Sequence, residues 1–541
     1  MRRTLSILLS LVLAITAAGA SFSAAAAASG AASSDYRCGS CTEIAPARVE
    51  SVEAAPARSS RLMAATELSL DDQVKLLLEV SGEIRSALLS GDSSVSLSDQ
   101  SIPIDSKQFG YLNYFCPYID GDKIDITMQY QVGTSLLSNI VISNRLGREA
   151  TRTWVNTIDA KLGRLNSLIA SAGDDPADRA LVLHDYMAAT YHYDETYASI
   201  FPSILLTEGK GVCQSYAYLF QYLMVQNGIK CYTTISDSLD HAWNIVRIGD
   251  SYYHVDVTWD DPVPDLHGNI RHDYFLISDS TLYGLSSGDA LRKDRHITMP
   301  CSSNTYSSKY YRDAASPVVA SGSNRYFVDS GGLKVCKTDG TGVSTIDTLG
   351  SWSNYVGKFS GLVLVNDILY YNTAREIRGY NLKDKQKLSV ASPDTGSGLI
   401  YGLAASLEEG CIIYSVQSNP NTSSRTLRSL NVADTGNSPV ITTPAYEKSY
   451  VSSLKLTPIK AGITVKWRKQ SAAAQKNFSG YELRYSTSKK MTGARTLKAS
   501  RSSSGKTIKS LKRKKTYYVQ VRTFSASGTS KWSPVKSART K

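Results

Sequence analysis

The sequence predicts a multidomain chain: an α+β core followed by an all-β stretch of short repeats and a terminal β-sandwich. Three observations predict it. At 541 residues the chain exceeds the roughly 250–300 at which a single hydrophobic core stops growing. Between about residues 150 and 260, helical apolar stripes give way to alternating strands, and after Cys301 the texture is short strands separated by Gly, Asp and Asn turns. The charge divides too. Residues 446–541 hold 24 of the 60 Lys/Arg but only two of the 48 acids, so the other 445 residues are net acidic although the whole chain is +12.

The N-terminal end reads as an export signal over residues 1–24, with Arg2 and Arg3 before an apolar run, Leu5 to Ala17, and small residues after it. The run is shorter than the ~20 residues a spanning helix needs, and no later segment reads as transmembrane. The mature chain is expected to be secreted, or held at a bacterial cell envelope without a covalent anchor. Residues 25–65 are Ala/Ser-rich and read as a disordered spacer.

Residues 66–145 read as a small α+β region. Ser69 is a helix cap followed by Asp71 and Asp72, and Val74, Leu77, Leu78, Ile84 and Leu88 share a face. Lys123 to Val132 alternates as a strand after the Asp120-Gly121-Asp122 turn. The core spans 146–300. Trp154, Ile158, Leu162, Leu165 and Ile169 make one helical stripe, and Asp175-Pro176 starts the next helix, in which His184 reads as a packed core histidine. A third helix runs from Cys213 to Asn227, stopped by Gly228, and strands follow at Lys230–Ser236, Ala242–Ile248 and Tyr252–Thr258.

This core carries the chemistry. Cys213, His241 and Asp256 occur in that order, 28 and then 15 residues apart. A thiol with an ordinary pKa near 8.5 is mostly protonated at neutral pH; a helix N-terminus and an adjacent imidazolium can lower it to about 3.5–7.5. Cys213 at a helix start is therefore the candidate nucleophile and His241 the acid/base. Asp256 is the carboxylate that orients the second ring nitrogen, and the Cys213 backbone N–H is an oxyanion donor. His254 shares a strand with Asp256 and competes for the histidine role. A lone Cys at a helix start is more often a small buried hydrophobe, so the assignment leans on the three residues together. Cys231 reads as packing. The acids Asp256, Asp260, Asp261 and Asp265 lack the spacing of a calcium loop and read as turn caps and solvated charge, so no metal or other cofactor is expected. The other cysteines (Cys38, Cys41, Cys116, Cys301, Cys336 and Cys411) are too sparse for a disulfide scaffold, and Cys38-Gly-Ser-Cys41 lies in the leader without a redox context.

Gly211-Val-Cys-Gln-Ser-Tyr-Ala217, His241-Ala-Trp-Asn-Ile-Val246, Tyr253-His-Val-Asp-Val-Thr-Trp-Asp-Asp-Pro262 and Tyr274-Phe-Leu-Ile-Ser-Asp279 resemble a bacterial transglutaminase-like domain. The resemblance implies a papain-like α+β fold, with Cys213, His241 and Asp256 as a triad attacking a carboxamide through a thioester. Gln214 stands where the animal enzymes usually carry Trp. Gln214 is a candidate cleft wall, and Trp243, Trp259 and Tyr274 read as core or cleft walls. The function implied is an exported acyl transferase or hydrolase acting on proteins or peptides. A cysteine protease or amidase using water is the alternative, and a non-catalytic adhesion or scaffold protein is the rival of another class.

Residues 301–445 hold three similar lines centred on Tyr326, Tyr370 and Tyr414, each 44 residues apart, a period that fits one propeller-like blade per unit. Residues 446–541 alternate as sandwich strands. Trp467, Leu511 with Tyr517, and Ser530-Lys-Trp-Ser-Pro534 resemble a fibronectin type III domain, with the Trp in the core and the Tyr in a corner hydrogen bond. Its basic surface is either a solvated face or a grip on anionic cell-wall polymers. Nucleic acid is not expected, since the chain shows no reading motif.

Overall fold

The computed structural model describes residues 48–52, 68–286, 288–352, 359–406, 411–422, 424–430, 451, 454–468, 478, 480–525, 528–530 and 532–541. The expected signal peptide and the Cys38/Cys41 pair lie outside the described residues. The spacer expectation is corrected at one point. Arg48–Val52 forms strand β1, paired parallel to β3. Its backbone covers an edge that β3 would otherwise leave open.

Helix α1 (Leu70–Ser90) begins at Ser69, whose hydroxyl accepts from the Asp72 N–H at 3.2 Å, and ends at Gly91 with φ 92°. Strands β2 (Ser94–Ser96), β3 (Ile124–Gln131) and β4 (Leu136–Asn144) complete a sheet of order β1-β3-β4-β2. The alternation of β3 places Ile124, Ile126 and Met128 inward. A short helix α2 (Leu112–Phe115) precedes β3.

Helix α3 (Arg148–Ser171) buries Ile158, Leu162, Leu165 and Ile169, and Trp154 is half-buried with its Nε1 donating to the Tyr118 carbonyl at 2.9 Å. Helix α4 (Pro176–Thr190) starts at Asp175, whose carboxylate accepts from the Ala177 N–H at 2.8 Å. Strand β5 (His192–Tyr193) pairs with β6 (Lys210–Gly211) across helix α5 (Pro202–Glu208). Helix α6 (Cys213–Gln226) follows immediately. Strands β7 (Cys231–Ser236), β8 (His241–Ile248), β9 (Ser251–Val255) and β10 (Phe275–Ile277) form an antiparallel sheet of order β10-β9-β8-β7. One core of buried apolar residues joins α1, α3, α4, α6 and both sheets.

One strand is shorter than predicted. β9 ends at Val255, and Asp256 caps the one-turn helix α7 (Val257–Asp260) by accepting the Trp259 N–H at 3.2 Å. The side-chain oxygen competes with the ladder for the backbone, which is what makes Asp a cap residue.

Beyond residue 318 the chain forms three successive antiparallel sheets, of four strands over 319–347, four over 362–391 and three over 399–430. Tyr326, Tyr370 and Tyr414 lie on the second strand of each, Asn324–Asp329, Ile368–Asn372 and Cys411–Gln417. The third sheet lies against the core: at Gly402, φ 90°, a Cβ would collide with the Leu266 and His267 carbonyls, and Arg425 pairs with Asp265.

The C-terminal unit is a β-sandwich. Three strands (Leu454–Ile459, Gly462–Trp467, Gly505–Ile508) make one sheet, and the other is built on Gly480–Ser486 and Thr516–Ser525. Trp467 packs on Tyr481 in the core, with ring centroids 5.0 Å apart. Tyr517 Oη accepts from the Lys512 N–H at 3.1 Å, closing the corner.

Candidate active site

The approach to Cys213 is built by a small residue and a serine. Ser215 Oγ accepts from the Val212 N–H at 2.9 Å and donates to the Val212 carbonyl at 2.8 Å, fixing the turn into α6. A Cβ at Gly211 would collide with that hydroxyl. Helix α6 is then seated on the sheet by a buried polar seam. Asn244 Nδ2 donates to the Ala217 carbonyl (2.9 Å), and Thr233 Oγ1 donates to Gln221 Oε1 (2.9 Å). Gln221 Nε2 donates to Gln108 Oε1 (3.0 Å) and to the Cys231 carbonyl (3.1 Å). Every member is satisfied, so the seam fixes helix against strand instead of weakening the core.

The three candidate residues converge. His241, the first residue of β8, meets Asp256, the residue after β9, with Nε2 and Oδ2 2.6 Å apart. Asp256 thereby occupies one ring nitrogen, which leaves Nδ1 on the other side of the imidazole. The Cys213 thiol accepts from the backbone N–H of Ala242, the residue that follows His241, and packs with Val212, Ala217, Ile235 and Ala242. Tyr111, Tyr193, Tyr197 and Ile200 cover this cluster. These aromatic neighbours were not foreseen, because they come from two distant segments, a 3-10 turn ending at Tyr111 and the stretch from β5 to Ile200, with no periodicity to announce them.

His254 is engaged elsewhere. Trp243 Nε1 donates to its Nδ1 at 3.0 Å, and its Nε2 meets Asp279 Oδ1 at 3.0 Å. The four expected wall residues divide. Gln214 is buried, with its amide 3.5 Å from the Ile200 carbonyl. Trp243 and Tyr274 are buried and Trp259 half-buried, and all three surround the Arg292 guanidinium instead of lining an open groove.

Burial sets the electrostatics. It pushes the Cys213 thiol up to about 12, against lowering by backbone hydrogen bonds from Ala242 and Gln214. It also pulls His241 below its ordinary 6.5, against the raising effect of Asp256. Asp256 is held near 2, because its bonds to His241 and Arg292 outweigh its own burial. Burial thus favours the neutral form of both groups. These shifts run against the expected thiolate–imidazolium pair, because desolvation penalises both charged forms. Alkylation of Cys213 by iodoacetamide is accordingly expected to rise about tenfold per pH unit from pH 6 to 9, as a thiol raised to about 12 requires. Quantified by mass spectrometry, a plateau already at pH 6–7 would show the ion pair instead.

Of the other acids of the cluster, expected as solvated charge, Asp260 and Asp261 are buried and Asp265 is half-buried. Asp260 Oδ2 meets His184 Nε2 at 3.0 Å, Asp261 Oδ2 accepts from Tyr216 Oη at 2.7 Å, and Asp265 pairs with Arg425. The six described cysteines are buried thiols.

Two known families match stretches of the chain. The Transglutaminase-like superfamily matches residues 164–257, a span that holds Cys213, His241 and Asp256. The fibronectin type III domain matches residues 451–539. Similar solved structures include a myokine structure (17% identity, 17% of this chain and 95% of that one, TM-score 0.14). The fn3 domain of human contactin 1 is another (18%, 17% and 76%, TM-score 0.16). A third is the sixth fibronectin type III domain from human fibronectin type III domain containing protein 3 (19%, 17% and 83%, TM-score 0.14). No curated protein matches the chain. The chain carries a transglutaminase-like domain and, toward its C-terminal end, a fibronectin type III domain.

Proposed function

We propose that the chain is a thiol-dependent acyl transferase or hydrolase, with Cys213 as nucleophile, His241 as acid/base and Asp256 as the orienting carboxylate. The observation that carries this reading is the 2.6 Å contact between His241 Nε2 and a buried Asp256, with the thiol of a helix-opening cysteine held beside the neighbouring backbone. As Sγ attacks a carboxamide carbon, the thiol proton passes to His241 Nδ1. The C–N bond breaks, the proton leaves with the amine or ammonia, and a thioester remains on Cys213. An amine or water then attacks the thioester and gives its proton to Nδ1, and the released thiolate is reprotonated. The Cys213 N–H, at the first turn of α6 where backbone donors lack intrahelical acceptors, serves the oxyanion.

The test is to incubate the full chain with a Gln-bearing peptide and a primary amine and to identify an acyl adduct on Cys213. Amide product supports transfer, and acid product supports the protease or amidase form. No adduct and no product would leave the non-catalytic scaffold reading, which the full burial of Cys213 favours.

The reading extends to the rest of the chain. Export to the cell envelope places the enzyme among protein or peptide substrates. The three Tyr-centred sheets act as propeller-like spacer units, and the basic 446–541 domain grips anionic wall polymers. In that case the full chain is expected to stay on an anionic polymer at low salt and to elute before ~1 M, where screening acts within about 3 Å. Retention unchanged by salt would sink this part.

A further inference from the structure

We propose that Arg292 is a positioning residue of the triad: its guanidinium fixes the Asp256 carboxylate that orients His241 and sets the charge against which the imidazole titrates. The inference rests on the triad reading above. Arg292 comes from the 3-10 turn Gly288–Asp294, beyond the residues that match the superfamily. Its side chain is fully buried. Nη1 donates to Asp256 Oδ2 at 2.8 Å, the same oxygen that meets His241 Nε2 at 2.6 Å. Nε donates to Asp289 Oδ1 at 2.9 Å, and the other Asp289 oxygen accepts from Tyr274 Oη (3.1 Å) and Ser286 Oγ (2.7 Å). One planar fork thus bridges two buried carboxylates, which a lysine ammonium cannot do with the same geometry.

The remaining nitrogen, Nη2, has no hydrogen-bond partner among the described residues. Aromatic faces stand around the group in its place: Trp259 at 4.5 Å, Trp243 at 4.8 Å and Tyr274 at 5.2 Å from the guanidinium carbon. Cation–π attraction is strongest where water is excluded, as here. Trp243 also stacks on His241, ring centroids 5.9 Å apart and 12° between planes, and Trp259 lies 5.6 Å from the same imidazole. The aromatic residues therefore hold the base and the cation in one block.

The charges make the consequence directional. His241 faces Asp256 and Asp289, which favour its protonated form, and Arg292, which opposes it; Asp240 precedes it in the chain and the Cys213 thiol lies beside the following residue. Two carboxylates alone would hold an adjacent imidazole charged and unable to accept the thiol proton. Arg292 offsets one of them.

The experiment is an NMR titration of the His241 imidazole in the full chain, assigned with His241→Gln, alongside the pH profile of kcat. In Arg292→Met the midpoint is expected to rise by about one pH unit or more, the size of effect a charge within ~4–6 Å exerts. The acid limb of kcat should rise with it. Arg292→Lys keeps the charge and should hold the midpoint near that of the natural chain, while kcat falls because the fork is lost. Arg292→Met/Asp289→Asn removes the orphaned carboxylate should the single variant not fold, and its midpoint should rise by less. An unchanged midpoint in whichever of these folds would overturn the proposal. The triad reading fails separately, if Cys213→Ala leaves turnover intact, because the titration needs no activity.

Discussion

Replacing Cys213 with alanine is expected to remove the acyl adduct and to lower kcat by a factor on the order of 10⁴–10⁶, the range seen when a triad loses its nucleophile. The fold should survive. The substitution deletes one buried sulfur that packs among Val212, Ala217, Ile235 and Ala242 and accepts the Ala242 N–H, a small change inside an otherwise apolar cluster. The Asn244–Ala217 bond at 2.9 Å and the Ser215 turn still hold α6 against the sheet. Thermal unfolding should therefore shift little while turnover disappears, and that separation identifies a nucleophile rather than a core residue. Cys213→Ser adds a control: the hydroxyl keeps nearly the same volume but is a far weaker nucleophile at neutral pH. Turnover of the alanine variant within tenfold of the natural chain would remove Cys213 from the mechanism, and with it the enzyme reading.

Much of this site was legible in the sequence because its parts are local. Ser69, Asp175 and Gly228 announce helix ends through side chains and backbone angles that act within a few residues. Cys213, His241 and Asp256 are readable together because α6, β7, β8 and β9 are consecutive elements, a helix followed by the strands of the sheet it packs on. Three things were not legible. Arg292 reaches Asp256 from 36 residues away on a turn without periodicity. The Cys213 covering, Tyr111, Tyr193 and Tyr197, is assembled from two segments far apart in the chain. Burial was the third: a helix start beside a histidine points to a low thiol, whereas burial, which depends on everything packed above it, pushes the thiol up. His184 shows the same limit. Its place on an apolar helix face was readable, and its charge was not.

Removing that charge is the second large effect expected. His184 is fully buried on α4 with both ring nitrogens engaged, Nδ1 by Asp185 at 2.8 Å and Nε2 by Asp260 at 3.0 Å. Burial opposes its protonation, but the two carboxylates outweigh it and raise the imidazole to about 9 from an ordinary 6.5. Asp185 also meets His272 Nε2 at 2.9 Å and accepts the Val318 N–H at 2.7 Å. His184→Ala strands Asp260 and half of Asp185 in the core, and breaking a buried pair from one side costs about 3–5 kcal/mol. The pH dependence follows from the raised value. The contribution is complete below pH 6.5 and is lost as pH rises through about 9, so the natural chain should weaken across that window and the variant should not. Denaturant midpoints read by hydrogen exchange of α4 and α7 amides would measure both. A loss under ~1 kcal/mol with unchanged pH dependence would show that the pair is not charged. The damage should also reach the triad. Asp260 accepts the Tyr274 N–H at 3.1 Å, and the Tyr274 carbonyl accepts the Asp256 N–H at 3.0 Å. The backbone of the orienting carboxylate therefore hangs from the His184 network, while its side chain is gripped by Arg292. A substrate-free core histidine should thus lower kcat as well as stability, and the part of the kcat loss that persists at 10 °C, well below unfolding, measures how far Asp256 moves when that support is gone.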